Sequence, residues 1–387
     1  MHRVAILGVG HSRFGRRLDV NLPELAFESI REALDDADVA RNEIGFVAVG
    51  TLGTWYEESL PAVVISEYAG LNPTALVRTE AACASGSSAV HSAYMSVASE
   101  QADVALAVGV EKMSEVDTGT AVELMGRAGS YLWEFENFGL TFPGYYAMYA
   151  TAHMAKYGTT EEQLAQVAVK NHKYGAMNPL AQFQREIDLR TVRESPVVAW
   201  PLRLYDCCPI TDGSASVILA SEKIAHKAND TPIWVKGIGV ASDTANLSKR
   251  EDYTSIRSTV KASRRAYERA DVEPESFDVA CVHDCFTIAE ILASEDLGLC
   301  EKGEGGRFVE EGETYLGGTI PVNVDGGLKA KGHPIGATGC SMMVEITRQL
   351  RGEAGSRQAE IASGLGLVHN VGGTGHTCYV TVLGREV

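Results

Sequence analysis

The chain lacks the features that would sort it quickly into several large classes. Positive charge is scarce: 34 Lys and Arg stand against 51 Asp and Glu, for a net charge of -17. That balance excludes nucleic acid as the main partner, although an anionic small molecule needs only local positive charge. No apolar run is long enough to span a bilayer. There is no P-loop, and the glycines at Gly8 and Gly10 do not complete a dinucleotide-binding fingerprint. Eight cysteines fall at 83, 207, 208, 281, 285, 300, 340 and 378, with no repeated CxxC spacing for zinc and no disulfide framework. Several of them sit in apolar or glycine-rich runs, as reduced buried cysteines do. The chain opens directly on a strand-like run, Val4 to Gly10, so the expectation is no signal peptide and a cytoplasmic location.

What is present reads as a globular α/β chain. It has 387 residues, 45 % hydrophobic, and 39 glycines that imply many tight turns. Asn21, Pro23 and Glu24 form a helix start with a capping box, and that helix runs to about Ala37. Ile44–Gly50 reads as a buried strand, and a helix follows near 60–69. Asp103–Gly109 is apolar on both faces, as a central parallel strand covered by helices would be. Residues 115 to about 205 read differently: aromatics, Met and Gly concentrate between 125 and 150, with helices expected over 143–157 and from Thr159 to about Tyr174. This stretch is expected to be an inserted, mostly helical loop domain. Its aromatics suit a substrate tunnel, a subunit contact or an ordinary core. Strands at 217–219 and 233–240 then lead into the second half.

The two halves echo each other. Arg31–Val39 resembles Arg264–Val272, and a strand follows in both copies. The turn and helix after Cys83 correspond to Gly332–Gly339 and the helix over 340–350. The expected architecture is a duplicated α/β unit, 1–225 and 226–387, with glycine turns meeting at the carboxyl ends of the strands. Four stretches at such ends carry reactive side chains: Cys83, His283 within Val282–Phe286, His333 within Lys331–Gly339, and His369 within Leu367–Gly375. Cys83 stands before small residues at a helix start, where a thiolate is stabilised. Cys281, His283 and Cys285 share one side of a strand, and the flanking apolar run favours packing for the two cysteines. A zinc site built from Cys83 and the histidines is neither supported nor excluded by spacing; no bound metal is expected.

In ordered combination these motifs resemble the thiolase superfamily over essentially the whole length. The resemblance rests on Cys83 with its Ala-Ser-Gly-Ser-Ser, Gly109–Met113, Asn178–Phe183, Asp212–Ala215, His283–Phe286 and, most specifically, Gly332–Gly339. The nearest flavour is that of archaeal acetoacetyl-CoA thiolases and sterol-carrier-protein-type thiolases. The resemblance implies two similar α/β/α halves in a five-layered αβαβα core, with a loop domain inserted in the first. It implies Cys83 as acyl-accepting nucleophile, His333 as its activator, and His283 as a donor to an oxyanion or holder of a water. Substrates would be coenzyme A thioesters, with no tightly bound cofactor. Assembly would be a homodimer or dimer of dimers.

One motif departs from the family pattern. Most relatives carry a second catalytic cysteine in a Cys-x-Gly motif before the last glycine turn. Here His369 stands at the apparent position, with Cys378 nearby and His376 a weaker candidate, and His369 is expected in the pocket as the second base. The leading function is acyl transfer through an acyl-cysteine, as an acetyl-CoA C-acetyltransferase or 3-ketoacyl-CoA thiolase. A thiolase-like aldolase working with a small zinc-ribbon/OB-fold partner, and a non-catalytic acyl-CoA- or lipid-binding component, are the alternatives.

Overall fold

The computed structural model describes residues 3–72, 74–227 and 232–386. The first part of the chain alternates strand and helix: β1 (Val4–His11), α1 (Leu22–Ala37), β2 (Phe46–Gly50), α2 (Pro61–Tyr68), β3 (Ala75–Thr79), α3 (Ser85–Ala98) and β4 (Val104–Lys112). A helix-rich stretch follows, with α4 (Thr118–Gly126), α5 (Phe142–Tyr157), α6 (Glu161–Ala176), α7 (Leu189–Arg193) and the small strands β5 (Val197–Ala199) and β6 (Leu202–Arg203). Then come β7 (Asp212–Ser221), α8 (Glu222–Ala225), β8 (Ile233–Ser242), α9 (Arg257–Ala270), β9 (Val279–Cys281), α10 (Thr287–Asp296) and α11 (Gly305–Glu310). The chain closes with α12 (Thr338–Arg351), β10 (Leu365–Gly372) and β11 (Thr377–Gly384). The capping box at Asn21 and Glu24 forms as the sequence predicts, and α1 ends at Asp38 in the left-handed region.

Among the described residues, nine strands form one sheet in the order β3-β2-β4-β7-β1-β8-β11-β10-β9. The duplication is visible on reading outward from the centre. One side runs β1, β7, β4, β2, β3, with β4, β2 and β3 mutually parallel. The other runs β8, β11, β10, β9, with β10 and β9 parallel, and then a single parallel bridge from Ala280 to Val322. Two register pairs join the halves, Ala5 with Trp234 and Ile6 with Ile233.

Helices complete five layers. Apolar side chains of α1 pack with Ala5, Val47 and Leu106 on the outer face of the first half-sheet. On the other face, α3 and α12 share one core with Ile6, Ala48, Ala105, Cys281 and Val368. The α9 alanines cover the far face of the second half-sheet with Leu367, Val371, Cys378 and Val380. The segment from Leu367 to Gly375 is thus largely strand, not turn: β10 persists to Gly372, and its residues alternate between the α12 and α9 sides. Among the described residues, no helix is long and apolar enough to cross a membrane.

Candidate active site

The site forms where the N-termini of α3 and α12 meet at the centre of the molecule. Glycine makes that approach possible. A Cβ on Gly86 would lie 2.7 Å from Gly336 O, and one on Gly339 would lie 2.2 Å from Ser87 N. Cys83 sits in a single 3₁₀ turn, Ala82–Ala84, directly before α3. Ala82 is held at φ 49°, a left-handed conformation that alanine avoids. The Ser85 hydroxyl braces this bend, accepting from Ala81 N at 3.0 Å and donating to Ala82 O at 2.7 Å. The sulfur is thereby presented to a mostly apolar cavity of about 120 Å³, whose wall includes Leu52, Met113, Phe142 and Ile335.

His283 follows β9 and His333 precedes α12, and the two rings meet edge to face with centroids 5.1 Å apart. Cys83 Sγ and one nitrogen from each ring all lie within 4.8 Å of one another. Burial pushes the His333 imidazole down to about 3 and drives His283 down as well, so both rings are neutral and each carries one N–H. Their partners decide which nitrogen holds it. Thr338 donates its hydroxyl hydrogen to Pro334 O and therefore accepts from His333 Nδ1 at 2.7 Å. His333 Nε2 is then a bare lone pair.

The opposite holds for His283. The Asn370 side-chain amide donates to Cys83 O and to His283 Nδ1, both at 3.1 Å, while its oxygen accepts from Ser87 Oγ at 2.9 Å. A carbonyl only accepts, so the amide orientation is fixed, and His283 must carry its proton on Nε2. Among the described residues neither Nε2 has a protein partner, and both rings are buried. One acceptor and one donor thus stand free beside a single thiol. Burial pushes that thiol up to about 12, against the opposing pull of the Gly373 backbone N–H.

The same hydrogen bonds weigh against a metal. For His283 Nε2 to ligate, its proton would have to move to Nδ1, where it would face the Asn370 N–H. The donor set fits a proton-handling site better than a metal centre.

His369 is not in this cavity, and the expectation that its side chain stands there is corrected. Its ring lies on the α9 side of β10, where Nδ1 accepts from His283 N at 3.4 Å and Nε2 meets Thr259 Oγ1 at 3.0 Å. Cys378 lies on the same side, 3.6 Å from the same hydroxyl, and His376 Nε2 bonds Ala128 O at 2.8 Å. The physical reason is strand alternation: a slip of one residue exchanges the two faces. Counted back from Gly372, the first position of a Cys-x-Gly motif is Asn370, and Asn370 is the residue that faces Cys83.

The apolar run around Cys285 predicts packing, yet the residue lines the cavity with Cys83, Cys207 and Cys208. Glu111 supports the site from behind. Its carboxylate accepts from Thr51 Oγ1, Leu52 N and Gly53 N at 2.9–3.1 Å and from the Gly336 N–H, and burial pushes it up to about 7. The loop that walls the cavity is thereby tied to the turn that carries His333.

Residues 4–223 match the thiolase N-terminal domain family, and residues 239–385 match the thiolase C-terminal domain-like family. The chain belongs to the thiolase family. It is a thiolase-type acyltransferase in fold and sequence. It is 46 % identical to an acetyl-CoA acetyltransferase of Methanothermobacter thermautotrophicus, over the full length of both chains. It is 35 % identical to sterol carrier protein 2 of Bos taurus, covering 96 % of this chain and 70 % of that protein. Among solved structures, the Ltp2-ChsH2(DUF35) aldolase superposes with a TM-score of 0.86 at 26 % identity, covering 100 % of this chain and 99 % of that one. This thiolase thus keeps the Cys83 elbow, while Asn370 and Cys285 are the site residues its sequence motifs did not single out.

Proposed function

We propose that the enzyme is an acetyl-CoA C-acyltransferase working through an acyl group carried on Cys83, in a two-step exchange with a second acyl-CoA. The observation that carries this reading is the pair of opposite tautomers, His333 with a bare Nε2 and His283 with an Nε2–H, on either side of one thiol. His333 Nε2 takes the thiol proton as Cys83 Sγ bonds to the thioester carbonyl carbon. The thiol and imidazole are both neutral at rest, so this proton moves as substrate arrives. The C–S bond to coenzyme A then breaks, and the departing thiolate takes its proton from Cys285. Cys285, now a thiolate, removes the α-proton of the second acyl-CoA. The resulting enolate oxygen is met by the His283 N–H and the His333 imidazolium. The enolate carbon bonds to the acyl carbon, Cys83 leaves as thiolate, and His333 returns its proton. No step needs a tightly bound cofactor.

Intact mass spectrometry after exposure to acetyl-CoA tests the first half. One acetyl group on the wild type and none on Cys83→Ala supports the reading; full turnover by Cys83→Ala overturns it. The likeness to an aldolase structure favours a second reading, in which a β-hydroxyacyl-CoA is cleaved beside a zinc-ribbon/OB-fold partner. That reaction needs no acyl-cysteine, so turnover of a β-hydroxyacyl-CoA by Cys83→Ala is its signature. We also propose a homodimer through β3, an edge strand whose side chains are exposed or half-buried. Light scattering at working concentration reads this directly, and a monomer refutes it.

A further inference from the structure

The helix-rich stretch between β4 and β7 does more than wall the cavity. Tyr146, on α5, is fully buried and stacks on Phe286 with ring centroids 4.6 Å apart. Its hydroxyl donates to Gly373 O at 3.1 Å. Cys285 directly precedes Phe286 in the chain, and its thiol interacts with the same phenol. One turn further on, Tyr149 donates to Thr374 O at 2.8 Å, and Ser258 Oγ donates to Gly375 O at 2.8 Å. Gly372 O accepts from Gly375 N at 3.2 Å and from His376 N at 3.0 Å. Both peptide planes flanking Gly373 are therefore fixed, and its N–H is left facing Cys83 Sγ.

We propose that Tyr146 is a positioning residue that links the two reacting sulfurs: its hydroxyl holds the turn presenting Gly373 N–H to Cys83, and re-aims onto Cys285 when that sulfur is a thiolate. This rests on the role of Cys285 proposed above. With Cys285 protonated, the phenol O–H bonds Gly373 O. Once Cys285 has given its proton to the departing coenzyme A, the same O–H turns to the thiolate and lowers its energy. When Cys285 takes the α-proton, the O–H returns to Gly373 O. The phenol keeps its proton throughout, and no net charge moves through it. The groups facing Cys285 are Tyr146, Cys208, Cys83 and Asp284; those facing Tyr146 are Cys285, Tyr149 and Cys83.

The test is Tyr146→Phe, with Tyr149→Phe as a control that also removes a buried hydroxyl from the same helix and turn. Three quantities are read: the rate of Cys83 acetylation, the pH profile of turnover, and the pH profile of Cys285 alkylation by iodoacetamide followed by peptide mass spectrometry. Loss of one hydrogen bond to a thiolate raises the Cys285 titration by about one pH unit and lowers turnover roughly tenfold in Tyr146→Phe. Tyr149→Phe leaves the Cys285 titration in place. An unmoved titration in Tyr146→Phe, or an equal shift in both variants, overturns the proposal. If Tyr146→Phe is unstable, the alkylation profile still decides, because it needs folded protein but no turnover and is read below the melting range. Cys285→Ala separates the two levels: wild-type turnover there removes the role of Cys285 itself, whereas lost turnover there with an unmoved Tyr146→Phe profile removes only the Tyr146 link.

Discussion

Replacing Asn370 with aspartate keeps the shape of the side chain and reverses its chemistry. The amide gives one N–H each to Cys83 O and His283 Nδ1. An aspartate oxygen at that place can only accept, so His283 must move its proton to Nδ1 and leave Nε2 bare. The resting site then holds two acceptors beside Cys83, and the enolate oxygen keeps only the His333 imidazolium as its side-chain donor. Loss of one preorganised donor of this kind costs about 3–4 kcal/mol of transition-state stabilisation, a fall of roughly 10²–10³ in kcat. Stability falls less, by about 1–3 kcal/mol, because one buried carbonyl, Cys83 O, loses its partner. Steady-state condensation and thiolysis rates give the first figure and urea unfolding gives the second. Imidazole ¹⁵N shifts report the tautomer itself. A variant that unfolds normally, keeps Nε2–H on His283 and turns over within about threefold of wild type refutes the tautomer argument.

Cys285→Ala still accepts an acetyl group on Cys83, but condensation falls roughly 10²–10⁴-fold, which burst kinetics against steady-state turnover will separate. His369→Gln loses about 1–3 kcal/mol in urea unfolding while turnover stays within about threefold, because the ring braces the back of β10. Gly336→Ala places a Cβ 2.3 Å from Val110 O and costs about 3 kcal/mol or more, seen as a lower melting temperature. Acid unfolding follows from burial. His333 and His369 are held near 3 when folded and titrate near 6.5 when unfolded, so their contribution is complete above 6.5 and is lost as pH falls toward 3. Glu111, raised from 4.5 to about 7, acts with the opposite sign, gaining stability as pH falls from 7 to 4.5. The two imidazoles outweigh it, for a net loss of about 1–2 kcal/mol at pH 5 and 3–4 kcal/mol at pH 4. His11 and His283, also pushed down by burial, add to the same side. Urea midpoints measured from pH 8 to 4 check this, and a midpoint that rises below pH 6 contradicts it.

The parts of the site set by local chemistry were legible in the sequence. Cys83 before small residues and the glycine-flanked His333 announce themselves, because helix starts and close backbone approach demand those residue types. The order of strands and helices was legible for the same reason, down to the cap at Asn21. Long-range geometry was not. Whether His369 or Asn370 faces Cys83 depends on where β10 ends, and that is set by its pairing with β11 and not by the glycines that follow. Cys285 sits in an apolar run, and the wall of an apolar cavity has the same composition as a core. The strand seam between the halves is two register pairs that no periodicity encodes. The tautomers of His283 and His333 depend on Asn370 and Thr338, one of them distant in sequence from the ring it sets.

The position of β7 has a consequence for how the chain is made. It lies in the sheet between β4 and β1, yet about 100 residues separate it from β4 in sequence. At ribosomal speeds, roughly 5–20 s pass between the emergence of the two strands. Throughout that interval β1 has neither of its neighbour strands, and β4 is paired with β2 on one edge while its other edge stays open. The helix-rich stretch that later holds the Gly373 turn is the segment being synthesised during the wait. Newly made chains are therefore most prone to aggregate between completion of β4 and completion of β7, and a chaperone that shields apolar strand edges has its greatest effect in that window.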